Sequence, residues 1–305
     1  MNTRTDISNN RIAALMDKYA GLFLSGPALL ALLLFVITPF AMAVWSSFTN
    51  QSVRTIMQPE HLRYIGTANY RELISDPSFR QAFRNTVYFV VLAVPAQVAL
   101  ALFMAVLVNG SGVWRRVMRV SFFLPVVTSM AVLSVVWSLL YNPSFGAFNS
   151  LLKLAGLSAQ PFLDSPRQAM PAIVAMSVWQ GVGFQMMIFL AGMQSIPNHL
   201  YEAALIENAN AWQRFTRITF PLLKNTTIFV VYVTTVFAFK LFVQPYLITR
   251  GGPQGSTKTL ILMLYEEAFT NGRYGKASAI SILFFLIVLA ITLIQRTLMP
   301  KEEKM

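Results

Sequence analysis

The sequence predicts an all-α, polytopic membrane protein with six transmembrane helices. Three observations carry that prediction. Apolar residues make up 55% of the 305 residues and charged ones only 12%, about half the charge density of an ordinary soluble domain. The mean hydropathy is +0.56. The apolar residues also gather into runs of about twenty, the length a helix needs to cross a hydrocarbon layer about 30 Å thick at 1.5 Å per residue.

The runs fall at about 20–45, 86–108, 119–141, 169–193, 226–248 and 277–297. Together they form one membrane domain, 20–298, between tails at 1–19 and 299–305. The first run ends in Ala41-Met42-Ala43, a small-x-small pattern like a signal-peptidase site. It is longer than the roughly 7–15 apolar residues of a signal-peptide core, so it reads as a retained span. Prolines at 27, 39, 95, 125, 171 and 245 fall inside or at the ends of the runs. Bundled membrane helices tolerate them because neighbours satisfy the freed carbonyls.

Orientation follows from the basic residues. The link after the second run holds Arg115, Arg116 and Arg119 without an acid, which places it in the cytoplasm. Both tails agree, with Arg4, Arg11 and Lys18 at one end and Arg296, Lys301 and Lys304 at the other. The long loop after the first run carries five arginines but is diluted by Glu60, Glu72 and Asp76. Both termini and the segment 194–225 are therefore expected in the cytoplasm.

Several chemistries are excluded. No cysteine is present, so thiolate catalysis and cysteine-ligated metals are impossible. His61 and His199 are far apart and lack neighbouring carboxylate clusters; no metal site and no catalytic residue is expected. The net charge of +12 is scattered over loops and tails. Anionic lipid headgroups account for it, and no nucleic-acid partner is expected.

One polar stretch stands apart, between the fourth and fifth runs. Pro197 suits a first helical turn, and Leu200, Ala203, Ala204 and Glu207 follow at helical spacing, with Tyr201 and Leu205 on an adjoining apolar strip. Asn208 and Asn210 interrupt the pattern. Asn tolerates the left-handed conformation that ends helices, and Asn210 with Gln213 fits a capping box that opens a second helix, AWQRFTRI. Two readings remain open. The knob is either an amphipathic helix lying on the headgroups, though such helices favour basic polar faces, or a docking element seated in a partner's groove.

The stretch EAALIENANAWQRFTRITFP (202–221) resembles the EAA loop of bacterial ABC-importer permeases, through Glu202, Ala203, Ala204, Ala209, Phe215, Ile218 and Pro221. Glu207 stands where that family usually has Asp, and Asn208 where it usually has Gly. Further resemblances lie at 64–86 (Gly66, Asn69, Tyr70, Asp76, Asn85), at 123–152 (Pro125, Trp137, Gly146, Asn149), at FKLFVQPYLITRGGP (239–253) and at the start of the last run. They are closest to the permeases for sugars and glycerol 3-phosphate. The resemblance implies a six-span permease domain in the bacterial inner membrane and a second homologous permease subunit. It further implies a dimer of ATP-binding subunits and an extracytoplasmic solute-binding protein. It makes 196–221 the coupling loop, with Leu200, Tyr201, Glu202, Ala203, Ala204, Leu205, Glu207, Asn208 and Ala209 meeting the ATPase. No G-x-x-x-x-G-K-[ST] loop occurs, so ATP and Mg are expected in the partner and no cofactor on this chain.

For the solute path, polar side chains within apolar runs are the candidates: Trp179, Gln180 and Gln185, then Tyr232, Thr235, Lys240 and Gln244. Aromatic faces and amides suit a sugar, yet the same residues often only join helices. Lys240 reads as a charge well inside the fifth span, either attracting an anionic solute or serving a structural role. A polyamine permease would place acids along the path, and an ion-driven secondary transporter would carry intramembrane carboxylates. Every Asp and Glu falls outside the six runs.

Overall fold

The computed structural model describes residues 25–297. The two tails, 1–19 and 299–305, and the first residues of the opening run lie outside the described residues. The described chain is helical, with an isolated β-bridge between Thr49 and Tyr64 and no strand. In order the helices are α1 (Ser25–Ser47), α2 (Val53–Met57), α3 (Ala68–Ser75), α4 (Pro77–Val108), α5 (Val113–Val127), α6 (Met130–Leu140) and α7 (Ala147–Leu154). Then come α8 (Ala169–Gln194), α9 (Asn198–Ile206), α10 (Ala211–Leu222), α11 (Lys224–Phe239), α12 (Leu260–Tyr265) and α13 (Tyr274–Thr297).

Four of these, α1, α4, α8 and α13, are long and apolar enough to cross a membrane unbroken. The third run is not a single helix, and the helix of the fifth run, α11, is bent against α10, which lies before that run. α5 and α6 meet at 99°, and α10 and α11 at 65°, so the described residues hold four spans, or up to six if each bent pair counts as one. The break in the third run comes at Thr128, whose backbone is extended, and Ser129, which is also non-helical. Pro125 has no N–H to continue the ladder. Its carbonyl instead takes the Thr128 N–H at 3.3 Å and the Gln180 amide at 3.4 Å.

The fifth run, expected to be helical to 248, is interrupted: α11 stops at Phe239, Lys240 ends it, and helical turns resume only at residue 243 and run through Pro245–Thr249. The physical cause lies at Pro245, which cannot donate to the carbonyl of Leu241 as a helix would require. That carbonyl is taken by Thr259 Oγ1 at 2.9 Å. Lys240 is therefore not a charge buried mid-helix but an exposed residue at a helix end. The second run errs the other way. α4 begins at Pro77, nine residues earlier than expected, where Asp76 Oδ1 accepts the Ser78 N–H at 2.8 Å.

α8 is the central helix and packs against α4, α5 and α11. Its apolar residues are spread around the helix rather than gathered on one face, and much of it is buried. At one end its Met186, Phe189 and Met193 close on Ala101, Ala105 and Val108 of α4 and on Leu223. At the other, Met170, Ile173 and Val178 meet Phe89, Ala93 and Leu241. Two glycines allow close approach on α8. A Cβ on Gly183 would strike the Phe122 carbonyl of α5, and one on Gly181 would strike the Gln97 amide of α4.

The opposite end from α9 is a cap folded from distant segments. Asn69 Nδ2 donates to the carbonyls of Ser47 and Thr49, at 2.8 and 2.9 Å. Asn85 Nδ2 donates to those of Gly255 and Lys258, at 2.7 and 2.9 Å. Asn149 is tied to Gln160 in both directions. Gly146 has no room for a Cβ beside the backbone of Leu140 and Asn142. These residues, which carried the family resemblance outside the knob, are thus structural fasteners of the cap.

Candidate functional site

A cleft of about 520 Å³ opens where α4, α8 and the broken ends of the third and fifth segments face one another. Its polar lining is a set of amides and hydroxyls held by one another. Gln97 Nε2 donates to Gln185 Oε1 at 3.0 Å, and Gln185 Nε2 donates to Thr234 Oγ1 at 3.2 Å. Gln244 Nε2 donates to Ser177 Oγ at 3.2 Å. Phe89, Phe184, Phe237 and Phe242 supply aromatic surface. Lys240 is the one charged residue of the lining, and no carboxylate lines it. Such a wall can pair with hydroxyls and pack on C–H faces, but it holds no acid–base pair.

Four of the path candidates, Gln180, Gln185, Lys240 and Gln244, come together in this cleft. Trp179, Tyr232 and Thr235 do not line it. Trp179 is next to Gln180 in the chain but points about 100° away around the helix; its ring lies tilted against that of Trp137, centroids 5.2 Å apart. Thr235 Oγ1 donates to the Val231 carbonyl and accepts from Gln295 of α13 at 3.1 Å. Gln97 and Ser177 were missed as site residues, while Thr234, one of the polar residues of the fifth run, does line the cleft. For Gln97 the signal existed, since it is the only amide between 86 and 108.

At the far end of α8 the polar stretch folds as two short helices with a left-handed break. α9 ends at Ile206, Asn208 takes φ +57°, and the Ala209 N–H reaches the Ala204 carbonyl at 2.8 Å. Asn210 and Gln213 form the reciprocal capping box, both bonds 2.9 Å. Pro197 lies one residue before the helix rather than in its first turn. Leu200 and Tyr201, expected to meet a partner, are half-buried and also pack against the chain's own core. The outward apolar surface is Leu205, Ile206 and Trp212, 54%, 83% and 71% exposed. Glu202, Ala203, Glu207 and Asn208 are also exposed, while Ala204 and Ala209 are half-buried.

The cap holds the strongest electrostatics. Arg273 Nη2 meets both oxygens of Glu72 at 2.7 and 2.8 Å. Lys276, only 5% exposed, lies 3.1 Å from Glu72 and 3.3 Å from both Asp76 and Glu267. Burial would raise the Glu72 carboxyl, but the hydrogen bonds from Arg273 and Lys276 outweigh it and hold the group below its ordinary value. For Asp76, burial is likewise outweighed, here by the Ser78 N–H and Lys276, and the carboxyl is again lowered. Among the described residues no group of three or more His, Asp or Glu could hold a metal ion.

This arrangement, a broken-helix bundle around a polar cleft with a helical knob at one end, is that of a membrane permease. Over residues 85–304 the chain matches the family described as binding-protein-dependent transport system inner membrane component, and it belongs to that family. It is 36% identical to a probable ABC transporter permease protein, YurN, of Bacillus subtilis, over 87% of this chain and 91% of the relative. It is 32% identical to the sn-glycerol-3-phosphate transport system permease protein UgpA of Agrobacterium fabrum, over 94% and 96%. With the trehalose/maltose transport system permease protein MalF of Thermococcus litoralis it shares 35% identity over 88% and 89%. The fold is similar to that of a bacterial ABC transporter involved in the import of the acidic polysaccharide alginate. There the TM-score is 0.79 at 23% identity, over 94% of this chain and 98% of the other.

Proposed function

We propose that this chain is the translocating subunit of an ATP-driven importer for a sugar or a related polyol or glycerol-phosphate-type solute. It works by alternating access, and a separate ATPase moves it through the 196–221 loop. The observation that carries this reading is the knob. Ile206, Leu205 and Trp212 stand bare beside Glu202 and Glu207, while Tyr201 fastens the same helix to the bundle. Apolar side chains with flanking acids suit a groove on another protein. A rigid helix so anchored turns motion of that groove into rocking of the spans.

The solute class is supported by the amide, hydroxyl and aromatic lining of the cleft, and by the named solutes of UgpA and MalF. The cleft has no carboxylate in its lining, which disfavours the polyamine alternative. No Asp or Glu occurs in the four long helices or the two bent pairs, which disfavours an ion-driven carrier. The chain sits in the inner membrane with both termini in the cytoplasm. Its partners are a second permease subunit, a pair of ATP-binding subunits and an extracytoplasmic solute-binding protein.

The test uses the absence of cysteine. Ala203→Cys puts one thiol on the exposed face of α9. Oxidative cross-linking in native membranes, followed by mass spectrometry, should recover an ATP-binding subunit. A folded variant with a reactive thiol and no such adduct would overturn the reading.

A further inference from the structure

Building on the importer reading, we infer a second solute contact beside the central cleft. It is a ladder of four aromatic rings that stacks on the flat C–H face of a cyclic sugar. The contact takes its solute from that reading and narrows it, because an acyclic polyol or glycerol phosphate offers no such face. The rings are Phe242, Tyr246, Tyr265 and Phe269. Those of Phe242 and Tyr246 are parallel within 15°, centroids 5.2 Å apart, and Tyr265 lies 5.1 and 5.0 Å from them. Phe269 follows, 5.0 Å beyond Tyr265.

Local structure sets the spacing, since residues four apart share one face of a helical turn. The Tyr246 N–H donates to the Phe242 carbonyl at 3.0 Å, closing one such turn. Tyr265 and Phe269 are also four apart, across the end of α12 and the helical turn Glu266–Thr270. Tertiary packing then lays the two pairs side by side. Phe242 and Tyr265 are half-buried, Tyr246 is 37% exposed and Phe269 73%. Exposed apolar surface of this kind marks a place of interaction.

Two features select a sugar as the occupant. The first is continuity with the central cleft. The aromatic belt of a membrane protein faces lipid at its perimeter, whereas this ladder starts at Phe242, which shares the lining of the cleft with Gln180 and Gln244. The other aromatic groups of the cap do not line that cleft. Trp45, Phe48, Tyr64 and Tyr70 pack on one another, and Trp137, Phe148 and Phe162 close round the buried Tyr141. The second feature is a polar edge. The Tyr246 and Tyr265 hydroxyls are 3.4 Å apart, a long contact that leaves both able to pair with a ligand. Ring faces with hydroxyls at their edge suit a molecule that is apolar on its faces and polar around its rim. A hydrocarbon chain would use the faces alone.

The test uses the complex purified from the native host through a tag on this chain, with Phe269 replaced by 4-trifluoromethylphenylalanine. The replacement keeps the ring and gives it a fluorine NMR signal. A soluble paramagnetic chelate first reads whether the ring is open to water; a signal that the chelate does not reach means that lipid or another subunit covers the ladder, which overturns the inference. The signal is then followed while methyl β-glucopyranoside, a cyclic probe, or sorbitol, an acyclic one, is added.

A saturable shift with the glucoside and none with sorbitol is expected. Tyr265→Leu keeps apolar bulk but removes a flat face, and should raise the Kd for the glucoside by about two- to tenfold. Tyr246→Leu, at a more exposed ring, gives the same reading if Tyr265→Leu does not fold. No shift with the glucoside, equal shifts with both probes, or a Kd unchanged in a folded ladder variant overturns the inference. Absence of an ATP-binding subunit from the purified complex would sink the importer reading alone, and the titration would still decide whether the ladder takes a sugar.

Discussion

The Tyr201 hydroxyl lies 2.9 Å from Thr219 Oγ1, eighteen residues further along, so the first helix of the knob is fastened to α10, which leads into α11. A lever transmits force only if it is tied at its base, and this bond is one of the ties. Tyr201→Phe keeps the ring packing and removes the hydrogen bond, a loss of about 1 kcal/mol. In proteoliposomes the solute carried per ATP hydrolysed should fall while the protein stays folded. An unchanged ratio would remove the bond from the coupling argument.

Asn208 sets the angle between α9 and α10 through its left-handed backbone, φ +57°. Glycine adopts that conformation freely, whereas a β-branched side chain is strained by about 1–2 kcal/mol. Asn208→Gly should therefore retain transport and Asn208→Val should lose most of it. Equal uptake by the two variants would show that the turn geometry is not what matters.

Gly181 and Gln97 form a second dependent pair. A Cβ at 181 displaces the Gln97 amide, which breaks its 3.0 Å bond to Gln185. Gly181→Ala is expected to reduce uptake several-fold, by steric conflict rather than by lost chemistry. Adding Gln97→Ala relieves the conflict, so the double variant should transport better than the product of the two single losses predicts. Strict additivity would place the two residues in separate roles.

The cap should be acid-sensitive through Glu72. Its folded value is held below the unfolded 4.5, so its contribution to stability is fully present above about pH 4.5 and is lost as the pH falls through the folded value. Thermal unfolding followed from pH 7 downward should show a decline only below that point. Glu72→Gln should be less stable at neutral pH and flatter in acid. A wild-type midpoint that falls already between pH 7 and 5 would point to another group.

Lys276→Met tests the same network without titration. It leaves Glu267, Asp76 and Glu72 facing Arg273 alone, and breaking buried pairs of this kind costs about 3 kcal/mol or more. Because Glu72 is nearly half exposed, the lower end of that range is expected, read as a drop in the unfolding midpoint. A midpoint within a degree of wild type would mean that water already serves those carboxylates.

The sequence by itself determined the class of fold, the approximate positions of the spans, and the shape of the knob. Each depends on interactions within a few residues. Apolar run length sets a span, and the Asn210–Gln213 box and the Asn208 turn are closed by near neighbours. Tertiary structure decided which prolines break a helix. α4 runs straight through Pro95, whereas the helix end before Pro245 rests on Thr259, eighteen residues away from Leu241. It also decided which neighbours on α8 face the cleft, Gln180 rather than Trp179. Likewise it brought Lys276 to Asp76 across two hundred residues of chain. Helix rotation and long-range pairing are fixed by packing against partners far off in sequence, which local pattern does not encode.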